Sequence, residues 1–131
     1  MNIYKPTDIE EQIRTALAGY LTVYVRPLPA SYALPNIMVT ANGGSTTNTI
    51  DTFTVTLSAR AETDAEALDY LNDALGILAE QTAAQVGGLR NVTINSLASW
   101  GSDPARPDLK LCTATVLVTA HRESKTITTN T

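Results

Sequence analysis

The sequence predicts an α+β domain: a mostly antiparallel sheet of four or five strands with two helices packed on one face, in the order α-β-β-β-α-β-β. Three observations carry this. "FTVTLSAR" alternates apolar and hydroxyl residues without a break, the period of a strand with one buried face. "TDIEEQIRTAL" and "TDAEALDYLNDALGIL" each open on a threonine with a glutamate three residues on, then turn to helical spacing. Strands occur in runs between the helices and do not alternate strictly with them.

The first helix is expected over residues 8–18, capped by Thr7 with Glu10 closing the box. Ile9, Ile13, Ala16, Leu17 and Tyr20 share one face, and Gly19 marks the end. "LTVYV" then alternates as a short strand. Pro27 and Pro29 stop it, which suits an edge position. "NIMVTA" is the second strand. "NGGSTTNT" reads as a projecting hairpin tip leading into the third, where Phe53, Val55, Leu57 and Ala59 face a core. Thr63 and Glu66 announce a second helix of about 20 residues with a stripe of Leu68, Leu71, Ala74, Leu75 and Leu78, ended by Gly87 and Gly88. Gly76 inside it costs about 1 kcal/mol against alanine. Val92 and Ile94 begin a fourth strand, "WGSDPARPD" is a loop, and residues 109–120 form the fifth. In that strand Leu109 and Leu111 lie on one parity and Val116 and Val118 on the other, so a bulge or twist is expected between them.

A chain of 131 residues is expected to form one domain, here 1–122, followed by a flexible tail at 123–131. With 13 acidic and 9 basic residues the net charge is -4, which argues against a reader of nucleic-acid grooves. The single cysteine, Cys112, builds no disulfide framework and is read as a small buried hydrophobe. No signal-peptide core and no apolar run of membrane-spanning length is seen. Charged residues are only 17% of the chain, against roughly 25% in typical domains. A surface so thin in charge suits one covered by partners.

No catalytic set emerges. His121 is the only histidine, and no "GxSxG" accompanies it. One cysteine and one histidine are too few for a zinc site, and no calcium loop is present. "GGSTT" lacks the lysine of a phosphate loop and precedes a strand, so it offers no helix dipole. The expectation is a protein that is not an enzyme and has no cofactor or metal. The second helix carries Glu66, Asp69, Asp73 and Glu80 nearly opposite its leucine stripe, with no lysine or arginine between Ala61 and Leu89. This is either a solvated face or an acidic wall toward DNA or a basic partner. Arg106, Lys110, Arg122 and Lys125 cluster late in the chain, and such separation of charge suits head-to-tail ring contacts.

Across residues 7–122 the pattern resembles the tail terminator, or tail-completion, proteins of long-tailed bacteriophages. The likeness rests on the helix "DIEEQIRTAL" and the proline-ended strand "LTVYVRPLP". It rests further on "PNIMVTANGG", on "DTFTVTLSARAETDAEALDYLNDALGIL" and on the closing strands of "SWGSDPARPDLKLCTATVLVTAH". Many relatives carry a charged residue before the glycines, where this chain has "VTANGG". The resemblance implies a structural virion protein at the tail–neck junction, assembled in the host cytoplasm. It would form a homo-oligomeric ring, usually a hexamer, that caps the tail tube, ends elongation and joins the tail to the head connector. Its partners would be the major tail tube protein and the head-closure protein. Genomic DNA would pass through the lumen without sequence-specific binding, and no membrane would be involved. Interface candidates are then Asn42, Gly43, Gly44, Ser45, Thr46, Thr47 and Asn48 in the hairpin, and Trp100, Asp103, Arg106 and Asp108 in the closing strands. Glu66, Asp69, Asp73 and Glu80 would face the lumen, and Arg122 and Lys125 would make the contacts of the chain's own C-terminal tail. The competing readings are another neck, connector or tube component, or a ligand-binding α+β domain outside the virion.

Overall fold

A computed structural model describes residues 1–47, 50–84 and 88–130. Two helices and seven strands follow the order β1 (Asn2–Lys5), α1 (Ile9–Ala18), β2 (Val23–Tyr24), β3 (Asn36–Thr47), β4 (Ile50–Ala61), α2 (Asp64–Ala83), β5 (Leu89–Asp103), β6 (Arg106–Ala120) and β7 (Glu123–Thr126). The α+β class stands, but two corrections apply to the expected sheet. It is mixed, because β2 pairs parallel to β3. The order also gains two strands: β1 and β7 pair antiparallel in a separate two-stranded ribbon. The five-stranded sheet runs β2-β3-β4-β6-β5.

β4 and β6 are the centre of the sheet, paired without a break from Asp51↔Ala120 to Ala61↔Lys110. Their alternation is what builds the core. Val55, Leu57, Ala59, Cys112, Ala114, Val116 and Val118 are buried on one face, joined by Ile37 and Val39 of β3. Both helices cover that face. Ile13 and Leu17 of α1 meet Leu71, Ala74 and Leu78 of α2 in the same cluster. The other face carries the hydroxyl row expected of β4: Thr52, Thr54, Thr56 and Ser58 lie opposite Thr119, Leu117, Thr115 and Thr113 of β6, all half-buried.

The caps differ in detail from the sequence reading. Thr63 caps α2 as expected, accepting from the Glu66 amide at 3.2 Å. At α1 the cap is Asp8, which accepts from the Glu11 amide, not Thr7. Thr7 is buried and donates instead to the Glu123 carboxylate at 2.6 Å, so a tertiary bond outcompetes the local one. Glu10 is likewise drawn away from the cap, to Arg26 at 2.6 Å and the Ala41 amide at 2.9 Å. α2 has its C-cap at Ala84; Gly87, expected among its end signals, lies outside the described residues. The bulge expected in β6 is absent from its pairing with β4. The irregularity sits in β5, which carries an extra residue against β6 at three places between Leu89 and Ser99. Leu109 is buried off-phase just beyond the last pair with β4, where the β5 register also slips from Ser102↔Lys110 to Asp103↔Arg106. Residues 123–126, within the expected tail, form β7.

Candidate functional site

The segment "NGGSTT", expected as a projecting tip, lies in the hairpin β3–β4. Asn42, Gly43, Gly44, Ser45, Thr46 and Thr47 belong to strand β3 and not to a loop. The candidate Asn48, like Thr49, lies outside the described residues. The glycine pair makes a β-bulge: pairing steps from Ala41↔Val55 to Gly44↔Phe53, leaving one extra residue on β3. Gly43 takes φ +92, a left-handed conformation that favours glycine. Gly44 packs so closely that a Cβ there would lie 2.1 Å from the Thr52 carbonyl oxygen. The glycines therefore serve the hairpin's own geometry.

Beyond the bulge the hairpin is tied to the chain's end. Arg122 donates to both carboxylate oxygens of buried Asp51 at 2.9 and 3.0 Å, and Thr46 donates to the same carboxylate at 2.7 Å. The Arg122 guanidinium, then the Thr46 hydroxyl, hold the Asp51 carboxyl below its usual range. Two sequence candidates, Thr46 and Arg122, are thus brought together by a residue that sequence reasoning did not select.

Trp100, Asp103, Arg106 and Asp108 lie at the opposite end of the sheet, where β5 turns into β6. Asp103 accepts from the Ala105 amide at 2.9 Å and from Arg60 at 3.2 Å. The Ala105 amide is the main cause holding its carboxyl low; burial opposes this, and Arg60 adds to the lowering. Arg106 and Asp108 pair with each other at 3.0 Å on the surface. These three charges fasten the turn. Trp100 is different: the residue is 52% exposed.

Trp100 belongs to a larger feature. Among the described residues β5 pairs only with β6, so its outer rail of backbone groups lies along the sheet edge without a strand partner. Ile94 and Leu97, 46% and 74% exposed, lie on the same strand. The spacing "INSLASW" breaks strict alternation, which in retrospect is the sequence signal of the β5 bulges that leave these side chains uncovered. Sequence reasoning missed Ile94 and Leu97 as site residues.

Glu66, Asp69, Asp73 and Glu80 are exposed on α2, and none forms an ion pair among the described residues. Beside them a groove of about 650 Å³ lies between the end of α1 and α2, walled by Tyr20, Leu21 and Ile77. Lys125 sits on β7, exposed, opposite Ile3 of β1.

A second cleft, about 480 Å³, separates the start of α1 from the β3 bulge. Its carboxylates are already engaged: Asp8 caps α1, Glu10 holds Arg26 and the Ala41 amide, and Asp51 holds Arg122. Burial would raise the Glu10 carboxyl, yet the Arg26 and Ala41 bonds together hold it below its ordinary value. No charge in this cleft is left to select a ligand among the described residues. Cys112 is fully buried, and desolvation pushes its thiol up, which suits packing and not nucleophilic chemistry. His121 is exposed, its amide bonded to the Gly88 carbonyl. Among the described residues no group of three or more Asp, Glu, His or Cys converges as for a metal ion, and no helix is long and apolar enough to cross a membrane. No protein-family profile matches this chain, and no curated protein is significantly similar to it.

Proposed function

We propose that this protein is a structural subunit of a bacteriophage tail, forming a ring that caps the tail tube and joins it to the head connector. The observation that carries the reading is the open rail of β5 with its exposed Ile94, Leu97 and Trp100. A 15-residue edge strand bearing three large apolar side chains is a surface that a stable monomer avoids and an assembly subunit needs. The order and size of the elements, which resemble tail terminators, supply the particular assembly. The action is physical: a protein neighbour covers β5, ring closure sets the copy number, and a capped tube accepts no further subunits. The acidic face of α2 turns toward the lumen in this reading, where Glu66 and Asp69, outside the groove beside Gly76, repel phosphates so that DNA slides.

The test is the mass of the purified protein by light scattering, alone and with isolated tail tubes, with negative-stain imaging. Rings, or monomers that become rings on tubes, are expected. Leu97→Ser with Trp100→Ala weakens that binding while leaving the fold intact. A monomer that ignores tubes at every concentration overturns the proposal.

A further inference from the structure

Gly76 poses a problem that the fold does not solve. It lies exposed in the middle of α2, and a Cβ built on it would meet nothing within 4 Å. Among the described residues no close contact needs glycine there, yet glycine in a helix interior costs about 1 kcal/mol relative to alanine. Gly76 opens onto the groove walled by Tyr20, Leu21 and Ile77 and rimmed by Asp73 and Glu80. Tyr20 is 68% exposed. The groove is thus partly apolar, acidic at its rim and accessible down to the helix backbone at one point.

The ribbon β1–β7 poses the complementary problem. Two strands of four residues are too few to be stable in water on their own. The ribbon stands apart from the main sheet, held at its base by Thr7–Glu123 and Arg122–Asp51. It exposes Tyr4, and it carries Lys5 and Lys125, neither in an ion pair among the described residues. One element is largely polar with cations outside any ion pair; the other is a partly apolar groove with carboxylates outside any ion pair, among the described residues. The base bonds hold the ribbon to the Asp51 end of the hairpin, so the groove that it fits is another copy's.

We propose that the β1–β7 ribbon of one copy docks into the α1–α2 groove of the next, with Lys125 against Asp73 and Glu80 and with Gly76 admitting close approach. Donor and acceptor surfaces differ, so the contact is head-to-tail and propagates until a ring closes. The inference rests on the ring reading and assigns its subunit contact, leaving the β5 edge for the neighbour along the tail.

The experiment is a charge swap read by sedimentation velocity over a concentration series. Lys125→Glu and Asp73→Lys each weaken self-association about tenfold, as expected for one reversed contact in a charged interface. An equimolar mixture of the two restores it, because every ribbon then finds a groove of opposite sign. Gly76→Met, a substitution with open space around it, melts no lower than the parent chain and fails to assemble. Assembly of all three variants like the parent, or a mixture no better than its parts, overturns the contact while the ring reading stands. A groove variant that loses tube binding but keeps self-association also overturns it, because the occupant is then a different protein. A parent chain that never self-associates, even on tubes, sinks the ring reading itself.

Discussion

Replacing Gly44 by alanine tests the account of the glycine pair most directly. The added Cβ would sit 2.1 Å from the Thr52 carbonyl oxygen and 2.9 Å from the Phe53 Cα, both backbone atoms of β4. Relief requires β3 and β4 to separate by about 1 Å, against a strand spacing of about 4.8 Å. That displacement stretches the ladder on both sides of the bulge beyond useful hydrogen-bond length. Two lost bonds at about 1 kcal/mol each, with about 1 kcal/mol of residual strain, make a cost near 3 kcal/mol. For a chain of this size each 1 kcal/mol lowers Tm by about 3–5 °C, so the melt should fall by about 10–15 °C. Gly43→Ala is the internal control. It has open space around its Cβ but φ +92, so it pays only conformational strain, about 1–2 kcal/mol. Urea unfolding followed by the fluorescence of Trp100, the only tryptophan, measures both. A Gly44→Ala loss below 1 kcal/mol, or one smaller than that of Gly43→Ala, would refute the reasoning.

Four further outcomes are expected. The Asp51 carboxyl titrates lower in the folded chain than its ordinary 3.8, so the unfolded state takes up protons first on acidification. Its contribution is complete above about pH 5 and is lost as pH falls below about 4; Asp51→Asn should flatten the Tm profile between pH 3 and 5, and an unchanged profile counts against the Arg122 tether. Leu71→Ala, at a fully buried site, should cost about 2–5 kcal/mol in denaturant unfolding. Thr63→Ala removes the α2 cap and should cost about 1 kcal/mol by the same assay. Gly76→Ala should raise the stability of the isolated chain by about 1 kcal/mol; a loss would mean that a contact inside the chain needs the glycine after all.

Much of the fold was legible where a local pattern and a tertiary demand agree. The unbroken alternation of residues 53–60 has one solution, a strand with one covered face, and β4 adopts it at the centre of the sheet. Thr63 caps α2, and among the described residues no distant group competes for its hydroxyl. Thr7 looked the same and was not the cap, because Glu123 reaches it from the other end of the chain. β1 and β7 were illegible for a related reason. Neither has the apolar alternation of a core strand, and each exists only as the other's partner. The parallel pairing of β2 is likewise a decision of the sheet, made over two residues that carry no sign of direction.

The candidate surfaces divide along the same line. The acidic stripe of α2 follows from helical spacing alone, and its four carboxylates stand exposed together as the periodicity requires. The hairpin candidates did not behave as a free tip, because the bulge at Gly43 and Gly44 lets β3 continue to Thr47 and Asp51 ties the end down. Periodicity and capping signals, which act within a few residues, were enough to specify the α+β class, both helices and the buried stripes. The ribbon of the chain ends, the open edge at β5 and the groove beside Gly76 depend on which distant segments meet. Only the tertiary structure decided those, because long-range pairing is selected by the packing of the whole core and leaves no local mark on either strand.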